Sequence, residues 1–253
     1  NEWYGYYVHT RKKFEKAYVM YASNAYYDTV CAAVESINLV SRIPVIVYLL
    51  NDNRKVPKAV TVKWEYEGHD VRQSDYINRN DSRVYDLLIQ RPCVVKHALN
   101  NYAKTVAYID SDSVVINYMP EDSTHPYFTE GIYDYLFING RGGVETRDEM
   151  HKSLEHPACE LFGVDQLVRS KYRQTGYFVA GQECFDFLDE WEWMCNHPKV
   201  KANPQYYAPY HEETLVNVLL WKYNIHEGLP YMYLNYNKFV NIDELPFDGT
   251  DHT

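Results

Sequence analysis

With 253 residues the chain is long enough for one large domain or two small ones, and it can bury roughly 70–75% of its unfolded surface without disulfide or metal staples. Its 46% hydrophobic and 24% charged content are globular values and exclude a disordered or fibrous chain. A formal net charge of −10 argues against nucleic acid, whose binding rests on Lys and Arg against phosphate, and no run of about 18 apolar residues is present to span a membrane.

The 26 Tyr and 5 Trp supply many flat apolar faces with a polar edge, which suits sugar or nucleobase stacking as well as core packing. The cysteines, Cys31, Cys93, Cys159, Cys184 and Cys195, are odd in number and have neither zinc-knuckle nor redox spacing. A reducing compartment, the cytoplasm, is therefore expected. No signal peptide is expected from the opening residues, and a start at Asn1 rather than Met is compatible with loss of residues upstream. Asn80-Asp81-Ser82 is a formal glycosylation acceptor.

In chain order, Ala17 to Ala22 reads as a first strand and Ser23-Asn24 as a turn or helix cap. Val30, Ala33, Val34 and Ile37 have helical spacing within Tyr27 to Val40. Pro44 breaks the chain, and Val45 to Leu50 is a second buried strand ended by Asn51-Asp52-Asn53. Strand, helix, strand makes a right-handed parallel unit. Val60 to Tyr66 is a candidate third strand. Ser82 to Tyr102 reads as helix interrupted at Arg91-Pro92. Tyr127 to Ile138 reads as extended, Asn139 to Gly143 as a loop, and Gly176 to Ala180 as a short strand. Helices follow at Glu183 to Cys195 and His211 to Tyr223, then a strand at Leu229 to Tyr236. No repeat or linker interrupts the pattern. One α/β domain with a mixed, mainly parallel central sheet flanked by helices fits best.

The centre of the chain is Thr105 to Asn117. A β-branched and aromatic run, Val106 to Ile109, ends in Asp110 and Asp112, and a second apolar run, Val114 to Ile116, follows. Carboxylates at the carboxyl end of a central strand sit where open α/β sheets bind ligands. Residues i and i+2 of an extended chain project to one side, so both are expected to approach one cation. Oxygen donors favour Mg²⁺ or Mn²⁺ over Zn²⁺. Asp-X-Asp also occurs as a solvated turn or a helix cap. Here the flanking apolar runs make two unpaired carboxylates costly without a cation or donors.

A second constellation, His211-Glu212-Glu213-Thr214, opens a helix. The helix dipole alone favours acids there. It is no His-Glu-X-X-His zinc site, because Leu215 stands where the second His belongs. Tyr206, Tyr207, Pro209 and Tyr210 just upstream form an aromatic shelf beside these acids, a combination that suits a sugar ring and its hydroxyls.

Three stretches then carry a resemblance. Tyr102 to Val115 resembles the Tyr-X-Lys-Val-X-Tyr-Leu-Asp-Ala-Asp-X-Leu-Val segment of glycosyltransferase family eight, the glycogenin and bacterial galactosyltransferase group, with about one extra residue. Ala17 to Ile37 resembles that family's first strand and helix. Gly176 to Gly181 with Glu212-Glu213-Thr214-Leu215-Val216-Asn217 is similar to its glycine-bearing strand and Asp-Gln-X-X-Leu-Asn. The aromatic load is also similar to that of glycosyltransferases of large algal viruses.

The resemblance implies a Rossmann-like GT-A fold of one domain, with a nucleotide-binding half over about 1–118 and an acceptor-binding half over about 119–253. It implies a UDP-sugar donor, with UDP-xylose, UDP-glucose and UDP-galactose as candidates, a carbohydrate acceptor, and Mn²⁺ or Mg²⁺. Asp110 and Asp112 would hold the metal, with Asp110 also meeting the ribose and Ser111 between them. Ala22, Asn24 and Tyr27 would lie by the uridine, and Lys96 or Arg91 would meet the sugar. Glu212 would contact the donor sugar and Glu213 would stand by the anomeric carbon.

The family's late His-X-X-Gly-X-X-Lys-Pro-Trp segment has no clear counterpart. His252 stands almost at the end, so the third metal ligand and the stereochemical outcome stay open. Asp110-Ser111-Asp112-Ser113-Val114 also satisfies the signature of haloacid-dehalogenase-type phosphatases, with Asp110 as nucleophile. A non-catalytic module that binds a nucleotide-sugar or carbohydrate is the remaining alternative.

Overall fold

The computed structural model describes residues 13–68, 71, 82–115, 127–130, 156–165, 173–225 and 239–241. Asn80, the loop at 139–143, the candidate strand at 229–236 and His252 lie outside them.

Strand β1 (Phe14–Ala22) leads through a 3-10 turn at Asn24–Tyr26 into helix α1 (Tyr27–Val40), then to β2 (Val45–Leu50) and β3 (Val60–Trp64). Helices α2 (Ser82–Leu88) and α3 (Gln90–Asn101) return the chain to β4 (Ala103–Ile109). Short strands β5 (Ser113–Val115) and β6 (Tyr127–Glu130), helix α4 (His156–Phe162) and strand β7 (Arg173–Gly181) follow. Helices α5 (Phe185–Cys195), α6 (Pro198–Ala202), α7 (Pro204–Tyr207) and α8 (Glu212–Lys222) precede β8 (Phe239–Asn241). The helix break falls at Ile89, not at Arg91-Pro92. Pro92 belongs to the first turn of α3, where a missing N–H leaves no intrahelical bond unmade.

Among the described residues six strands form one sheet in the order β3-β2-β1-β4-β7-β6. β3, β2, β1 and β4 run parallel, and β7 is antiparallel to both β4 and β6. The fold is α/β and Rossmann-like. β7 and β6, from the second half of the chain, thus extend the sheet laid down by the first.

Period-two alternation assigns the side chains to two buried faces. Tyr18, Met20 and Ala22 pack with Val45, Val47 and Leu49 against Val30, Ala33, Val34 and Ile37 of α1. Val19 and Tyr21, with Tyr48, Val106, Tyr108 and Phe178, face α3, α5 and α8 on the other side. Burial on both faces explains why β2 is a continuous apolar run. Each fully buried Val or Ile contributes roughly 1.5–3 kcal/mol.

The order β3-β2-β1 followed by β4 on the far side of β1 makes a switch point between β1 and β4. Ligand crevices of open α/β sheets lie outside the carboxyl ends of the strands at such a point. The parallel register pairs Val19 with Tyr108, so the segments after Ala22 and Ile109 leave the sheet side by side there.

Residues 110–113 are not extended as expected. They form a turn in which the Ser113 N–H donates to the Asp110 carbonyl at 3.2 Å. The chain must reverse there because β5 leaves the main sheet and pairs antiparallel with β8. Ser36 of α1 anchors this exit: its Oγ accepts from the Val115 N–H at 2.9 Å and donates to the Ala33 carbonyl at 2.7 Å. Ser36→Ala leaves the Val115 N–H unpaired in a buried place. A urea titration should show a loss of about 1–3 kcal/mol with an unchanged m-value.

Candidate active site

The side chain at the centre of the site is Arg91, which reaches from the first turn of α3 to the sheet and is 5% exposed. Its Nη2 donates to Asp110 Oδ1 at 2.7 Å. Its Nη1 donates to Thr175 Oγ1 at 2.5 Å and to Glu212 Oε1. The guanidinium carbon lies 5.0 Å from the Tyr108 ring centroid. Burial disfavours the cation, but Asp110, with the Tyr108 and Tyr21 hydroxyls, outweighs it and holds the Arg91 pKa well above the ordinary value. Arg91 is a permanent positive charge.

Asp110 takes this charge on one oxygen. Its Oδ1 also accepts from the Tyr108 hydroxyl at 2.9 Å. Burial pushes the Tyr108 phenol well above its usual range despite the opposing pull of Arg91, so it remains a neutral donor. The Asp110 N–H donates to the Gly176 carbonyl at 3.0 Å, which fixes the backbone beneath the carboxylate. Oδ2 accepts no hydrogen bond from the described residues, and the carboxylate is 35% exposed. A Cβ at Gly176 would stand 2.9 Å from Oδ2. The glycine leaves the space into which that oxygen projects. Ser111 and Asp112 follow on the turn, both half-buried.

Asp110 and Asp112 both lie on this turn, and their carboxylate oxygens are hard donors of the kind that would suit Mg²⁺ or Mn²⁺. A side chain at Gly176 would crowd Oδ2 of Asp110, the oxygen that such an ion would take. Among the described residues no group of three His, Cys, Asp or Glu gathers to hold one.

Glu212 and Glu213 open α8 and separate sharply. Glu212 is 2% exposed, and its Oε1 accepts from Arg91 and from Thr175 Oγ1, the latter at 2.9 Å. Its backbone carbonyl accepts from the Trp191 indole at 3.0 Å. Buried this way, Glu212 is the counter-ion of Arg91. Glu213 is half-buried; its Oε2 accepts from the Thr175 N–H at 3.3 Å and from Thr175 Oγ1 at 3.4 Å. His211, just before them, has φ 56° and ψ −135°. That conformation is strained for any residue but glycine, and strain of this kind clusters at functional sites.

A cleft of about 650 Å³ opens at the carboxyl ends of β1 and β2, lined by Ser23, Asn24, Asp52, Arg54 and Tyr66 among others. Asn24, one of the residues that the resemblance places by a uridine, is part of this lining. Ala22 is buried beneath, and Tyr27 stands alongside with the Arg54 guanidinium 3.8 Å over its ring. Arg54 Nε and Nη2 donate to Asp52 at 2.8 and 2.6 Å, and Nη2 also donates to Asn24 Oδ1. The Arg54–Asp52 pair therefore bridges the ends of β2 and β1.

Lys96 is not with these residues. It donates to Glu192 at 2.6 Å and pairs with Asp189, both on α5. Of the two cations considered for the sugar, Arg91 reaches the carboxylates. Tyr108, Thr175, Asp52 and Arg54 were not singled out from the sequence. Tyr108 alone left a signal, standing two residues before Asp110 on the same strand.

No protein-family model matches the chain, and no curated protein matches it.

Gly176→Ala puts a methyl group against Asp110 Oδ2, so one of the two must move. The variant should keep its melting temperature within a few degrees yet bind Mn²⁺ roughly tenfold or more weakly by calorimetry.

Proposed function

We propose that this protein is a metal-dependent glycosyltransferase that moves a sugar from a UDP-sugar to a glycan hydroxyl. The observation that carries the reading is the position of Asp110-Ser111-Asp112: a carboxylate pair on a turn at the sheet's switch point, beside the end of β1. The cleft at Asn24 and Arg54 lies at the adjacent strand ends and has the size and mixed lining of a small-molecule site. Its planar groups and the Arg54–Tyr27 stack suit a nucleobase and ribose. The carboxylates around Arg91 repel a diphosphate, so an acidic protein of this design needs a cation to receive one.

Asp110 and Asp112 would hold that Mn²⁺ or Mg²⁺, which supplies Lewis-acid neutralisation of the charge developing on the departing diphosphate. The remaining work falls to the chain. Glu213, the less buried acid of α8, is the catalytic carboxylate. In an inverting reaction it removes the acceptor proton as the new bond forms between the acceptor oxygen and the anomeric carbon and the bond to UDP breaks. In a retaining reaction it faces the anomeric carbon instead. Glu212, locked on Arg91, supports the site from behind and is not the sugar ligand that the resemblance implies. The five free thiols accord with a cytoplasmic setting, and among the described residues no helix is long and apolar enough to cross a membrane.

A panel of UDP-xylose, UDP-glucose and UDP-galactose with Mn²⁺ tests this by release of UDP. One donor should be turned over, and Asp110→Asn and Asp112→Asn should each abolish the reaction. Phosphate release from a simple ester, or trapping of an aspartyl-phosphate, would instead assign a phosphatase. Glu213→Gln should lower turnover by a factor of roughly 100–10,000 while donor affinity stays within about twofold; wild-type turnover would remove Glu213 from the mechanism. Arg54→Ala should weaken UDP binding by about tenfold with little effect on turnover of bound donor.

A further inference from the structure

Asp110 is held in one rotational state. Oδ1 is taken by two donors from one side, the Arg91 Nη2 and the Tyr108 hydroxyl, while the backbone N–H is tied to Gly176. Oδ2 is thereby left toward the clearance at Gly176. Arg91 can do this only because its other arm is anchored. Thr175 Oγ1 and Glu212 Oε1 hold Nη1, and Glu212 is itself buried and tied through its backbone to Trp191. A guanidinium spans two partners in a fixed plane, which a lysine ammonium cannot do.

We infer that Arg91 is a positioning residue for the divalent cation: anchored by Thr175 and Glu212, it pins Oδ1 of Asp110 so that Oδ2 is presented to the metal. This rests on the reading of Asp110 as a metal ligand, but not on the identity of the donor or on catalysis. It also explains why a cation is placed against a carboxylate assigned to bind another cation. Coulomb's law alone makes Arg91 a competitor for Asp110, since like charges repel across the shared carboxylate. A positioning role gives the opposite sign, because outer partners that orient a ligand typically add a factor of about 10–100 in metal affinity. Glu212 offsets the competition by sharing the positive charge.

The sign difference is the test. Mn²⁺ is titrated into the protein and followed by the loss of the free-ion EPR signal, with melting curves of the metal-free proteins to show that each variant folds. Arg91→Lys and Thr175→Val keep every charge in the site. Arg91→Lys should weaken Mn²⁺ binding roughly 10–100-fold, and Thr175→Val in the same direction but less. Arg91→Gln, which removes the competing charge, should weaken binding as well. Unchanged affinity in both charge-preserving variants, or tighter binding in Arg91→Gln, overturns the proposal. So does a wild-type protein that binds no Mn²⁺, or whose binding is indifferent to Asp110→Asn. Should Arg91→Lys fail to fold, Thr175→Val decides alone. If the variants show the expected order but no UDP-sugar is turned over, the glycosyltransferase reading fails and the positioning role stands.

Discussion

One buried guanidinium shared between two carboxylates ties the halves of this molecule together. Arg91 carries a full charge at 5% exposure, a state that is strongly unfavourable unless the charge is paired and hydrogen-bonded. It takes Asp110 from β4 on one arm and Glu212 from α8 on the other, with the Thr175 hydroxyl of β7 between them. Removing a partner would strand a charge in the interior, so α3, β4, β7 and α8 are held in register by electrostatics as well as by packing. The surrounding aromatic rings, Tyr108, Tyr21 and Phe178, keep water from that charge on the sheet side.

The same arrangement separates two acids that are adjacent in the chain. Glu212 and Glu213 read alike in sequence, both in the first turn of a helix. The direction of α8 sends the first inward to Arg91 and leaves the second half-buried, on the amide and hydroxyl of Thr175. A buried counter-ion and a more accessible acid thus fall to neighbouring residues. The tight geometry at His211 precedes that division, turning the chain sharply enough for α8 to begin over β7.

Much of the fold was legible because its signals are local. Buried parallel strands announce themselves as apolar runs, and the bounds of α1 and β2 follow from the spacing of Val30, Ala33, Val34 and Ile37 and from Pro44. The Asp110-Ser111-Asp112 segment was legible as the end of a central strand, but its turn was not. That reversal depends on β5 pairing with β8, more than a hundred residues away. The choice between Arg91 and Lys96 was illegible for a related reason. The two lie five positions apart on α3, about 140° around the helix, so both cannot face the sheet. The packing of α3 on β4 and β1 decides which cation points inward. Thr175 had no signal at all, because its role comes from the antiparallel register of β7 beside β4.

The partners of Arg91 are 19, 84 and 121 residues away along the chain. Contacts of such span are among the last to close when a chain collapses, since each demands the loss of much loop entropy before it returns any gain. No fragment ending before α8 contains the whole ring. A nascent or truncated chain therefore has the paired aspartates without the scaffold that orients them. The proposed ion site at Asp110 should therefore form only once α8 has docked, not in a fragment that carries β1 to β4 alone.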